Sequence, residues 1–112
     1  MNPDGAQAEE QALRFLLSQG LKLKQRNYTC RLGEIDLILL DGDTLVFAEV
    51  RMRRSSSFGG AAESITARKR ASLLATARHY LAGQRDMPAC RFDAVLIEGD
   101  SPPRWIKDAF GD

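Results

Sequence analysis

Apolar and charged residues alternate through two short stretches, Gly33-Glu34-Ile35-Asp36-Leu37-Ile38 and Val46-Phe47-Ala48-Glu49-Val50-Arg51. A period of two built from β-branched and large apolar residues predicts a pair of β-strands. Asp41-Gly42-Asp43 between them supplies the turn, since glycine adopts the positive φ that a two-residue hairpin loop needs. Two registers are open. With Gly42-Asp43 as the loop, Asp36 lies opposite Glu49 and Glu34 opposite Arg51. With Asp41-Gly42 as the loop, Glu34 faces Glu49 and Asp36 is their diagonal neighbour. Either register places Glu34, Asp36, Glu49 and Arg51 on one face of the sheet.

Around this hairpin the pattern predicts the order helix, strand, strand, strand, helix, strand. Residues from about Ala6 to Gln19 follow helical spacing, with Asp4 as N-cap and Gly20 as the stop. Leu13, Leu16, Leu17 and Gly20 share one face, and Phe15 projects from the other. At about 100° per residue, Glu9 falls inside that apolar stripe and Glu10 at its margin. Leu21 to Tyr28 reads as the first strand, with Leu21 and Leu23 on one side and Lys22 and Lys24 on the other. Arg53 to Gly60, rich in Arg, Ser and Gly, reads as a mobile loop. The second helix starts from a cap at Ser64 or Thr66, runs to Leu81 and stops at Gly83. Leu73, Leu74, Ala77 and Leu81 form its inner face, with Lys69 and Arg70 near the first turn of that face. Arg91 to Ile97 is apolar enough for an internal strand. Pro102-Pro103 breaks it, and Trp105 to Phe110 close over the core.

Composition narrows the chemistry. A chain of 112 residues, 44% hydrophobic and 28% charged, is one globular domain spanning 1–112. No apolar run approaches the roughly 20 residues of a membrane span, and the polar, acidic start is no secretory signal. Cys30 and Cys90 lack CxxC spacing and read as reduced thiols of a cytoplasmic protein. His79 is the single histidine, which excludes His-based metal cages and most nucleophile–His pairs. A metal here must be held by carboxylate oxygens, the chemistry of Mg²⁺ or Mn²⁺. The net charge is only +1, yet Arg51, Arg53, Arg54, Arg68, Lys69 and Arg70 crowd one region against Glu63. Lys22, Lys24, Arg26 and Arg31 form a second basic stretch. Such patches hold phosphates without a basic overall pI, although the same runs also read as solvated surface.

Opposed side chains in a hairpin have Cβ atoms roughly 4.5–5.5 Å apart, where like charges destabilise the sheet. A cation between Asp36 and Glu49 removes that cost. Both fit as direct ligands, with the Val50 carbonyl beside them and Glu9 as a helix-borne ligand or water acceptor. Phosphodiester hydrolysis needs charge neutralisation and a deprotonated water, and one or two Mg²⁺ ions supply both. The plainer alternative is a surface hairpin in which Glu34 pairs with Arg51, worth about 0–1 kcal/mol when exposed.

These residues resemble a known family. The strand pair with Arg53, then Arg91-Phe92-Asp93, are similar to the YraN family of bacterial proteins. So are Ala8-Glu9-Glu10, Ala12, Arg26-Asn27-Tyr28, Phe58-Gly59, Lys69 and Ile106-x-x-Ala109-Phe110. That family is similar to Holliday-junction resolvases of the restriction-endonuclease-like, PD-(D/E)xK, superfamily. The resemblance implies a restriction-endonuclease-like α/β core, a mixed sheet flanked by helices in the order αβββαβ. It implies a Mg²⁺-dependent (or Mn²⁺-dependent) endonuclease ancestry directed at nucleic acid. Asp36 and Glu49 match the metal-binding acids, and Glu9 matches the helix glutamate of the resolvases.

On this reading the chain cleaves structured or branched DNA with Glu9, Glu34, Asp36, Glu49 and Arg51. Glu34 orients Arg51, and Arg53, Arg54, Arg68 and Lys69 hold the phosphate backbone. Resolvase-like nucleases often act as dimers, so a homodimer is open, although no self-complementary apolar patch is evident. One departure stands out: Arg51 occupies the position of the motif lysine. Arginine stays protonated and serves only as a hydrogen-bonding cation, so water activation falls to the metal unless Lys69 reaches the site. The competing readings are a catalytically inactive nucleic-acid-binding module and a protein-interaction domain of the same fold.

Overall fold

In the computed structural model the hairpin forms in the register whose loop is Gly42-Asp43, with Asp41 paired to Thr44. Positive φ occurs at Gly42 (62°) and not at Asp43, the pattern of a II′ turn. The structure describes residues 3–53, 66–86, 88–99 and 101–109, with backbone alone at residues 3, 4 and 53. Seven elements follow in order: α1 (Pro3–Ser18), β1 (Lys22–Cys30), β2 (Gly33–Asp41), β3 (Thr44–Arg53), α2 (Ala67–Ala82), β4 (Cys90–Glu98) and β5 (Arg104–Ile106). The strands make one mixed sheet in spatial order β1-β2-β3-β4-β5. Only the β3–β4 pair is parallel, as a strand–helix–strand crossover allows. No helix among the described residues is long and apolar enough to cross a membrane.

The two helices cover opposite faces. α1 packs Ala8, Ala12, Leu13 and Leu16 against Leu37, Leu39, Val46, Ala48, Val95 and Ile97. α2 packs Leu73, Ala77 and Tyr80 against Ile35, Ile38, Phe47, Ala94 and Leu96. With apolar residues buried on both sides, β2, β3 and β4 are internal, and each fully buried Leu, Ile or Phe contributes roughly 1.5–3 kcal/mol.

Several local expectations change. Helix α1 already begins at Pro3, where a missing N–H is harmless, so Asp4 lies inside the first turn instead of capping it. Its stop at Gly20 is a Schellman motif: Gly20 N–H bonds Leu17 O at 3.1 Å and Leu21 N–H bonds Leu16 O at 3.2 Å. This closure folds Leu21 into the core ahead of β1, while Leu23 is exposed. Leu17 is 44% exposed, because the buried stripe runs through Ala8, Ala12 and Leu16 and leaves it past the edge. Phe15 is not idle: it meets Trp105 edge-on at 6.2 Å.

Thr66 is the N-cap of α2, its side chain accepting the Lys69 N–H at 3.1 Å. Thr76 and Tyr80 are buried there, whereas Leu74 and Leu81 are only half-buried. Gly33 lets β2 approach this helix: a Cβ at Gly33 would fall 2.8 Å from Thr76 Oγ1, at a φ of 152°. The loop predicted after Arg53, the alternative cap Ser64, and Phe58, Gly59 and Phe110 lie outside the described residues.

The chain ends with a strand that the αβββαβ order lacks. β5 pairs antiparallel with β4 and is pinned by Asp93, which is fully buried. Asp93 Oδ1 accepts from Arg91 Nε and Asp108 N–H, both at 2.9 Å. Oδ2 accepts from Arg91 Nη2 at 3.0 Å and Trp105 Nε1 at 2.8 Å. A buried carboxylate with this many donors is stable without a metal.

Candidate functional site

The β2–β3 ladder stops at Leu37 and Ala48, although β1 stays paired with β2 to Gly33 and β3 with β4 to Arg53. The two central strands therefore part just where the register brings Asp36 opposite Glu49. Asp36 Oδ2 accepts the Val50 N–H at 2.8 Å, a side-chain bond in place of the missing ladder. Ile35 and Ile38, three residues apart, both pack on the α2 side, so the alternation of β2 slips at this point. The slip turns Asp36 toward α1. There it lines a cleft of about 220 Å³ with Gly5, Ala8, Glu9, Glu34, Val50 and Met52.

Glu49 faces the other way. It is 3% exposed, and its Oε2 lies 3.3 Å from Lys69 Nζ in the first turns of α2. The Asp36 carboxyl lies close enough to interact with it directly. The expectation that Glu34, Asp36 and Glu49 share one face is thus corrected: Glu34 and Asp36 line the α1-side cleft, Glu49 meets α2, and Asp36 joins the two. Burial, and then the hydrogen bond and charge of Asp36, push the Glu49 carboxyl up to about 8, against a smaller opposing pull from Lys69. Glu49, buried, and Asp36, half-buried, present the carboxylate oxygens that a hard divalent ion prefers.

Glu9 is 7% exposed. Its Oε1 accepts from Asn27 Nδ2 at 2.7 Å, with Arg26 Nη2 farther off at 3.9 Å. Burial first, and Asp36 second, raise its carboxyl above the usual range. Glu10 is taken up by Arg26 at 3.1 Å and Arg14 at 3.3 Å. Glu34 is exposed and accepts from Thr29 Oγ1 at 3.1 Å. Arg51 is half-buried, Arg68 is exposed at the start of α2, Arg53 is described by its backbone only, and Arg54 lies outside the described residues.

Two of the three expected ligands, Asp36 and Glu49, are therefore in contact, and Glu9 shares a cleft with Asp36. Among the described residues, however, no three Asp, Glu, His or Cys side chains converge closely enough to hold an ion together. The oxygen donors of Asp36 and Glu49 are of the kind Mg²⁺ or Mn²⁺ prefers, and Glu9 lines the same cleft as Asp36. Asp93, the other buried acid of the sheet, is saturated by its donors and takes no part.

Sequence reasoning gave Asn27 no role at the site. Its φ of 51° is left-handed, and an asparagine inside a strand stretch was the available signal, because Asn is poor in strands and tolerant of that conformation.

The family described as "Uncharacterised protein family UPF0102" matches residues 8–97. A UPF0102 protein of Nitrosomonas europaea is 56% identical over 108 residues, covering 95% of this chain and 92% of its own length. One from Psychromonas ingrahamii is 53% identical over 110 residues, covering 97% and 90%. One from Pseudomonas paraeruginosa is 51% identical over 113 residues, covering 95% and 90%.

Proposed function

The chain belongs to the UPF0102 family, the YraN family of the resemblance, and we propose that it is a Mg²⁺-dependent endonuclease of restriction-endonuclease-like fold acting on structured or branched DNA. The observation that carries this reading is the meeting of half-buried Asp36 with buried Glu49 at the point where β2 and β3 separate. Burying Glu49 beside a second carboxylate is costly, and phosphodiester hydrolysis gives the arrangement a use.

Asp36 and Glu49 would hold the ion, which supplies charge neutralisation at the phosphate and an acidified water. Glu9, lining the same cleft from α1, would accept a hydrogen bond from a water held there. Arg51 follows Glu49 on β3 and presents a permanent positive charge to the phosphate, moving no proton. Lys69 takes the place left by the motif lysine, its Nζ 3.3 Å from Glu49. Arg68, with Arg53 and Arg54, extends positive charge along the backbone of the nucleic acid. A second reading, a silent nucleic-acid-binding module, draws on Lys69, whose Nζ 3.3 Å from Glu49 already sets a positive charge beside one ligand without a metal.

Cleavage of linear, flapped and four-way DNA with Mg²⁺ or Mn²⁺ separates the two. The nuclease reading expects cutting by the wild type and none by Glu49→Ala. Equal trace activity in both proteins removes it.

A further inference from the structure

Asn27 stands beside Asp36 in the sheet register, between the pairs Arg26↔Leu37 and Tyr28↔Ile35. Asp36 in turn stands opposite Glu49, so Asn27, Asp36 and Glu49 occupy one row across three strands. At this row the β1 backbone takes a left-handed φ of 51°, and the Asn27 amide crosses to α1, donating to Glu9 at 2.7 Å. We infer that Asn27 is a positioning residue for Glu9, holding its carboxylate in the cleft with one oxygen left for a cation or its water. The inference rests on the metal-site reading above.

The chemistry of the donor supports it. Arg26 is nearby but at 3.9 Å is beyond a hydrogen bond, and its guanidinium is engaged by Glu10 at 3.1 Å. The directed bond to Glu9 is therefore a neutral one. A neutral donor fixes the carboxylate without adding a positive charge of its own to that of Arg26. Both contacts fall on Oε1, and Glu9 lines the cleft together with Asp36. The left-handed backbone also favours this residue type: among residues with a side chain, Asn and Asp adopt such a φ most readily, and Asp would set a second negative charge against Glu9.

Glycine at position 27 separates the two roles, because it accepts the backbone conformation and lacks the amide. Mn²⁺ is titrated calorimetrically into wild type, Asn27→Gly, Glu9→Gln and the double variant, with Asp36→Asn as control. Melting of the metal-free proteins is recorded alongside, and Asn27→Ser, too short to reach Glu9, replaces Asn27→Gly if that variant does not fold. Asn27→Gly is expected to melt close to wild type and to bind Mn²⁺ roughly 10–100-fold more weakly. In the Glu9→Gln background the same change is expected to add no further loss. Wild-type affinity in Asn27→Gly, or an equal loss with and without Glu9, overturns the inference while leaving the metal site standing. Absence of Mn²⁺ binding by the wild type overturns both.

Discussion

A buried carboxyl held up to about 8 makes the metal-free protein sensitive to pH in a direction opposite to most acidic groups. In the unfolded chain Glu49 titrates near 4.5, so between those values the folded state binds the extra proton. Stability is then full at the acid end of the window and declines as pH rises through it. One proton limits the slope to about 1.4 kcal/mol per pH unit, and Lys69 at 3.3 Å reduces it by favouring the charged form. From about pH 5 to pH 8 the loss is at most about 4 kcal/mol. For a chain of this length, roughly 4 °C of melting temperature corresponds to each kcal/mol. Glu49→Gln imitates the protonated acid: it keeps a donor for Asp36 and carries no charge. The assay is thermal melting of wild type and Glu49→Gln across this range without divalent ions, and the difference between the curves isolates Glu49. The two should coincide near pH 5 and diverge upward, with the variant more stable at pH 8. Millimolar Mn²⁺ should close the gap from the wild-type side, because the cation replaces the proton. Parallel curves at all pH values would refute the reasoning.

Asp93→Ala strips four donors of a buried acceptor and should cost about 3–5 kcal/mol, read by chemical denaturation with Trp105 fluorescence reporting release of β5. Replacing Arg53 and Arg54 together with Ala should weaken DNA binding on all sequences alike and flatten the salt dependence by about 0.9 per lost phosphate contact, measured by anisotropy at several salt concentrations. In single-turnover cleavage Arg51→Lys should match or exceed wild type, and Arg51→Ala should lose roughly 10²–10³-fold, the cost of one donor to a developing charge.

Much of this architecture was legible because local rules agreed with one another. The Asp-Gly turn, the alternation on either side of it, and the Thr66 and Gly83 boundaries of α2 each follow from short-range chemistry. The acids to watch, Asp36 and Glu49, came from the same alternation. What it hid was their facing. A strict period of two places Asp36 and Glu49 on one side, and only the slip between Ile35 and Ile38 turns Asp36 toward α1. That slip is set by tertiary packing and by the left-handed residue in the neighbouring strand, neither of which a single-strand pattern reports. β5 escaped for a related reason: three residues are too few to show a period, and Asp93, which secures them, looks like any charge in a strand. Leu17 was misplaced because a helical stripe wider than the true contact was drawn through it.

The sheet order leaves β1 as a nine-residue margin, long enough to recruit a strand from another molecule. Lys22, Lys24, Gln25 and Arg26 are all exposed along it, and Asn27 bends it out of a regular extended path. Two such margins brought together would set lysines and arginines against one another, and the bend would spoil the match of donors to acceptors. At the opposite side β5 is too short to template a partner. Among the described residues, the charge and the bend of β1 and the shortness of β5 work against cross-chain extension of the sheet.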